Sequence, residues 1–232
     1  MLYNYCGDIM KILDKLGIVP NKEKLYIEAL THTSYSNEHQ TKNYERLEYL
    51  GDAVLELIMS EYLYKNTDVQ EGEMTKLRAN YVCENALYEY SLRLNLNDEL
   101  LLGNGEEETG GRTRKTIVAD IFESFIGAMF LDQGLDTVKK FIYEYIIPLI
   151  ERKEVNFFDD YKSVLQELVQ TDKRSLEYVV VNEEGPSHNK EFTVQVKIND
   201  IIYGSGTAHS KKEAEQLAAR NALEKAQMDS NL

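Results

Sequence analysis

An all-α domain followed by a smaller domain of order α-β-β-β-α is the fold class this sequence predicts, on three observations. Residues 22–150 carry mainly helical periodicity, with few alternating β-branched runs. The polar stretch Glu151-Arg152-Lys153-Glu154-Val155-Asn156 then interrupts the pattern. Beyond it, three alternating runs, Leu176–Val181, Glu191–Ile198 and Ile201–Gly206, stand between two helical segments. The division that follows is a helical domain over residues 1–151, a linker over 152–158, a second domain over 159–228 and a tail over 229–232.

Within the first domain, candidate helices run near residues 5–16, 22–30, 35–38, 44–65, 71–94, 115–132 and 134–150. Gly17 with Pro20, the Asn66-Thr67-Asp68 cluster and Gly103-Asn104-Gly105 supply the breaks, and Pro148 falls near the end of the last helix. The second domain opens with a helix over Asp160 to Gln170, whose apolar stripe is Tyr161, Leu165, Leu168 and Val169. Phe192, Val194, Val196 and Ile198 alternate with polar residues, as a half-buried strand requires, and Asn199-Asp200 is a tight hairpin turn. Ser210 is a suitable N-cap for a closing helix, Lys211 to Gln227, with Ala214, Leu217, Ala218 and Leu223 facing inward.

Composition bounds the function. At 232 residues and 43% hydrophobic content the chain can bury a core, and no apolar run approaches the roughly 20 residues that span a bilayer. The first residues lack the basic start and apolar core of a signal peptide. Cys6 and Cys83 show no metal spacing, so two thiols in a reducing cytoplasm are expected. Net charge is −14; residues 1–155 carry 17 basic against 27 acidic groups, and the remainder 9 against 13. Neither half is basic, so a polyanionic partner must be met by local basic patches and bound cations.

The most informative stretch is Tyr44-Glu45-Arg46-Leu47-Glu48-Tyr49-Leu50-Gly51-Asp52-Ala53-Val54-Leu55. On a helix, Glu45, Glu48 and Asp52 fall at i, i+3 and i+7, within roughly 60° of one another. Leu47, Leu50, Val54, Leu57 and Ile58 share the opposite face, which is expected to be buried. Clustered carboxylates repel, and hard divalent ions such as Mg²⁺ choose such oxygens. Taken alone, the stripe reads more readily as a solvated acidic face than as a metal site.

A glycine-led basic turn, Gly110-Gly111-Arg112-Thr113-Arg114-Lys115-Thr116, changes that balance. It enters an almost wholly apolar helix, Ile117 to Phe130, whose only ionisable groups are Asp120 and Glu123, one turn apart. Buried carboxylates need a partner or a metal. A structural ion pair with Arg112, Arg114 or Lys115 is the alternative.

Here the sequence resembles a known family. Glu45-Arg46-Leu47-Glu48-Tyr49-Leu50-Gly51-Asp52 is similar to the ribonuclease III signature ERLEFLGD, and the Gly-Gly-Arg…Ala-Asp…Glu segment resembles that family's second acidic helix. Ala29 to Tyr35 and Glu71 to Arg78 extend the likeness. The α-β-β-β-α segment resembles a double-stranded RNA-binding domain through Leu165-Gln166-Glu167, Gly185-Pro186-Ser187-His188 and Ser210-Lys211-Lys212-Glu213-Ala214. Two positions depart from the signature, Tyr44 where the family often has Asn and Tyr49 in place of Phe. Neither is expected to touch a carboxylate.

The resemblance implies a homodimeric endonuclease that cuts double-stranded RNA with Mg²⁺, for which Mn²⁺ can substitute. Its products would carry 5′-phosphates, 3′-hydroxyls and short 3′ overhangs, and its substrates would be ribosomal RNA precursors and structured transcripts. Carried over residue by residue, Glu48, Asp120 and Glu123 match the metal ligands, Asp52 and Glu123 the catalytic acids, and Glu45 an outer acid of the same cluster. A two-metal phosphodiester hydrolysis suits such a five-carboxylate site. Glu56 extends the stripe without a family role and is read as solvated. His32 is read as a structural imidazole bonded to nearby backbone, and Lys76 and Arg78 either hold phosphate or pair with Glu71 and Glu73. In the second domain, Gln166, Glu167 and His188 suit contacts to 2′-hydroxyls in the minor groove, and Lys211 and Lys212 suit phosphates.

Overall fold

The computed structural model describes residues 11–152, 161–171, 174–185 and 190–229. It divides into two compact units, Met1–Phe157 and Phe158–Leu232. The expected first helix falls partly, and the linker almost entirely, outside the described residues.

The first unit is helical: α1 (Glu23–Ala29), α2 (Thr33–His39), α3 (Glu45–Asn66), α4 (Glu71–Tyr81), α5 (Glu84–Leu94), α6 (Asn104–Glu108), α7 (Lys115–Gln133), α8 (Leu135–Phe141) and α9 (Ile147–Glu151). Helix α7 is the centre, packed by α1, α3 and α5, which explains its nearly all-round apolar sequence. Tyr26, Tyr90, Phe122 and Phe125 fill the core around it.

The closest approach is between α3 and α7. A Cβ on Gly51 would overlap the Glu123 carbonyl, and a Cβ on Gly127 would overlap the Leu47 carbonyl. Two glycines therefore let the helix backbones touch. This seam sets the acid stripe of α3 beside the acid pair of α7.

Several expectations are corrected. The helix expected over 71–94 is two, α4 and α5, with extended backbone at Cys83. Tyr90 reaches back to donate to the Tyr81 carbonyl at 3.1 Å, satisfying the end of α4. The expected 134–150 helix is α8, a π turn over Ile142–Ile146, and α9. Pro148 lacks an N–H and crowds the carbonyl four residues earlier, and the wider turn accommodates it. The Gly103–Gly105 break instead opens α6. Leu57 is not buried but 54% exposed, because the buried stripe of α3 is centred on Gly51, Leu55, Ile58 and Tyr62.

The second unit comprises α10 (Tyr161–Thr171), an antiparallel sheet of order β1 (Leu176–Glu184), β2 (Glu191–Ile198) and β3 (Ile201–Ala208), and α11 (Lys211–Asp229). Asn199 and Asp200 both take positive φ, 49° and 62°, the conformation of a type I′ hairpin turn. Ser210 caps α11 by accepting from the Glu213 N–H at 3.2 Å. Gly204 and Gly206 lie against the backbone of α11, so the seam there is made by Ala214, Ala218 and Ala222. Leu217 is consequently left on the flank and Leu168 is 55% exposed, against the inward placement expected for both.

Candidate active site

Helix α3 carries Glu45 and Asp52 exposed, and Glu48 and Glu56 half-buried. Helix α7 carries Asp120 and Glu123, both half-buried among apolar neighbours. Burial, reinforced by the charges of Asp120, Glu45 and Asp52, pushes the Glu48 carboxyl up to about 7. Burial, then the charges of Asp52, Glu48, Asp120 and Glu56, pushes Glu123 up to about 8. Asp120 is also raised by burial, against the opposing hydrogen bond from Tyr44. The five acids singled out from sequence thus form one electrostatic cluster. Glu56, read as solvated, is half-buried and contributes to the field at Glu123.

The basic turn before α7 does not neutralise this cluster through its arginines. Arg112 clasps Glu107 at 2.6 and 3.0 Å and donates to the carbonyls of Asn97, Asp98 and Leu100. Arg114 pairs with Glu106. The two arginines brace the loop that leads into α7.

Three supporting residues, Thr33, Asn43 and Tyr44, have no site role in the sequence reading. Glu45 accepts from Thr33 Oγ1 at 3.2 Å and from Asn43 Nδ2 at 3.1 Å, one donor on each carboxylate oxygen. The Tyr44 hydroxyl donates to Asp120 Oδ2 at 3.1 Å, so Tyr44 does touch a carboxylate, contrary to expectation. The bond spans 76 residues of sequence and leaves no periodic signal.

His32 caps α2: its Nδ1 accepts from the Ser34 N–H at 3.1 Å, and burial pushes its pKa down. Arg78 donates to Ser60 Oγ at 3.1 Å.

The donor set fits a hard divalent ion. Glu48 and Glu123 are desolvated carboxylates whose strongest charged neighbours are other carboxylates, the situation a cation relieves. Among the described residues no three such side chains already close on one point. Mg²⁺ keeps several waters and needs only one or two direct carboxylates, so a preformed protein cage is not required.

In the second unit, Gln166 and Glu167 sit on the exposed side of α10, opposite the buried Leu165 and Val169. His188 lies outside the described residues. Lys211 and Lys212 are exposed at the start of α11, and Lys211 is already engaged: its Nζ lies 2.9 Å from Glu183. Lys190 meets the same carboxylate at 3.0 Å, and both ammonium groups lie over the Phe192 ring, at 5.3 Å for Lys211 and 5.8 Å for Lys190. Lys190 and Glu183 were not anticipated from sequence; their partnership depends on strand pairing.

A helical unit with paired acid walls and an α-β-β-β-α unit with an exposed lysine cluster define a nuclease-type domain joined to a nucleic-acid-binding domain. Comparisons with known proteins agree. Residues 22–150 match the family Ribonuclease-III-like, and residues 161–226 match the double-stranded RNA binding motif. Ribonuclease 3 of Bacillus cytotoxicus is 52% identical over 216 residues, covering 91% of this chain and 88% of that protein. Ribonuclease 3 of Bacillus cereus is 51% identical over 217 residues, covering 91% and 89%. The solved nuclease domain of ribonuclease III from Campylobacter jejuni superposes with a TM-score of 0.56 at 38% identity, covering 60% of this chain and 95% of that one. The chain belongs to the ribonuclease III family of endoribonucleases.

Proposed function

We propose that this protein cuts double-stranded RNA endonucleolytically with Mg²⁺, leaving 5′-phosphate and 3′-hydroxyl ends with short 3′ overhangs. The observation that carries this reading is the cluster of Glu45, Glu48, Asp52, Asp120 and Glu123, gathered across the Gly51–Gly127 seam, where burial and neighbouring carboxylates push Glu48 and Glu123 up. Glu48, Asp120 and Glu123 would hold the ion, and Mn²⁺ offers the same oxygen chemistry. Bound there, the ion supplies charge shielding for the phosphate and a more acidic water. Asp52 and Glu123 are the proton-handling acids, and Glu45, fixed by Thr33 and Asn43, holds the outer edge.

The second domain would grip the duplex by shape, Gln166, Glu167 and His188 toward 2′-hydroxyls and Lys211 and Lys212 toward phosphates. Its substrates would be ribosomal RNA precursors and structured transcripts in the cytoplasm. Among the described residues no helix is long and apolar enough to cross a membrane.

The enzyme would act as a homodimer. On α3, Tyr49 is 83% exposed, Leu57 54% and Tyr64 77%, and these positions lie within about 80° of helical arc. Leu57 and Tyr64 also line a groove of about 440 Å³ with Leu63 and Met74 of α3 and α4. Such an exposed apolar face suits self-association. The Campylobacter jejuni nuclease domain has a region involved in dimer formation.

The test is incubation with a long RNA duplex, with Mg²⁺ or with EDTA. Cutting is expected only with Mg²⁺, and Glu123→Ala should abolish it while sparing duplex binding. A variant that still cuts would remove Glu123 from the site.

A further inference from the structure

We propose that Tyr44 is a positioning residue for the metal site, fixing the Asp120 carboxylate, which would hold the ion, through a hydrogen bond to Oδ2. The inference rests on the reading of Asp120 as a metal ligand. Tyr44 is the N-cap residue of α3, a position where a short polar side chain ordinarily accepts from the first turn. Here no side-chain cap is made. The hydroxyl instead crosses to α7 and donates to Asp120 at 3.1 Å.

The side chain making that bond is itself immobilised. Tyr44 is 5% exposed, its N–H donates to the Thr31 carbonyl at 3.0 Å, and its ring packs 5.7 Å from that of His32. His32 is in turn held by its bond to the Ser34 N–H at 3.1 Å. The entry to α3 is thereby tied to a ligand on α7 by a rigid aromatic strut. Hydrogen bonds to metal-ligating carboxylates orient the ligand and commonly account for a roughly 10- to 100-fold difference in metal affinity.

Tyr44→Phe removes only the hydroxyl and keeps the ring in place. Calorimetric titration of the full-length protein with Mg²⁺ should show affinity falling by about tenfold or more. Melting temperature in EDTA and duplex RNA affinity in EDTA should stay near wild type, and raised Mg²⁺ should restore the cleavage rate. Asp120→Asn, run alongside, should lose Mg²⁺ binding more completely. If Asp120→Asn loses binding and Tyr44→Phe binds Mg²⁺ like wild type, the strut is packing only and the proposal is overturned. It is overturned equally if Tyr44→Phe lowers the melting temperature without changing affinity. Unchanged binding in Asp120→Asn would instead overturn the ligand assignment beneath it.

Discussion

Glu123 and Glu48 hold their protons far more tightly in the folded protein than a free carboxyl does, up to about 8 and about 7 against 4.5. The sign of the consequence is fixed by linkage. A carboxyl raised by folding is protonated in the fold at pH values where the unfolded chain has already released its proton. Metal-free stability therefore declines as pH rises from about 4.5 through about 8, the window set by these two groups. Calorimetry in EDTA across that range should record a falling melting temperature, and Mg²⁺ should raise it more at pH 8 than at pH 5. A flat profile would mean the acids do not repel one another in solution. Glu123→Gln should flatten the profile and raise metal-free stability at pH 8, a gain opposite in sign to its loss of cleavage.

At the scale of elements, the α3–α7 seam decides how much substitution the site tolerates. Gly51→Ala places a methyl on the Glu123 carbonyl, so the helices must separate. Overpacking of this kind costs about 1–3 kcal/mol or more, and denaturant titration should find a loss at the upper end of that range, with weakened Mg²⁺ binding. In the second unit, Glu183 occupies Lys211, one of the two lysines that would meet phosphate, together with Lys190. Glu183→Gln should tighten duplex binding by about two- to fivefold at low salt, in keeping with exposed ion pairs. Replacing Lys211 and Lys212 together should weaken binding across sequences and flatten its salt dependence by about two. Filter-binding series at several salt concentrations read both effects.

The acid stripe was legible because Glu45, Glu48 and Asp52 obey one helical period, and α7 because its apolar run from Ile117 to Phe130 has only two ionisable interruptions. What sequence did not display was tertiary. The α4–α5 break is held by Tyr90 on Tyr81, and Tyr44 meets Asp120 across the core. Leu57 was assigned to the core because apolarity alone does not say which flank of a helix is covered.

For the whole molecule, the uncovered flank of α3 is the feature with the widest reach. Tyr49 and Leu57 expose apolar surface, with a groove beside Leu57, and the proposed homodimer would cover it. Tyr49→Asp with Leu57→Asp should shift the protein to monomer in analytical ultracentrifugation while each subunit stays folded. A double variant that sediments as a dimer would place the interface elsewhere. The charge of −14 adds a second expectation at this scale: encounter with RNA is opposed by the overall field, so the rate of association should rise with added Mg²⁺ as well as its strength.

The contact between Gly51 and Gly127 carries a final consequence. Where the two backbones touch, at Gly51 and Gly127, the separation of the acid walls is a matter of atomic radii, and neither position has a side chain to trim. Adjustment of the site to a larger or smaller ion must therefore come from its rim, from Tyr44, Thr33 and Asn43, which steer Asp120 and Glu45 without carrying charge themselves. The seam works as a fixed jaw and the rim as the adjusting screw.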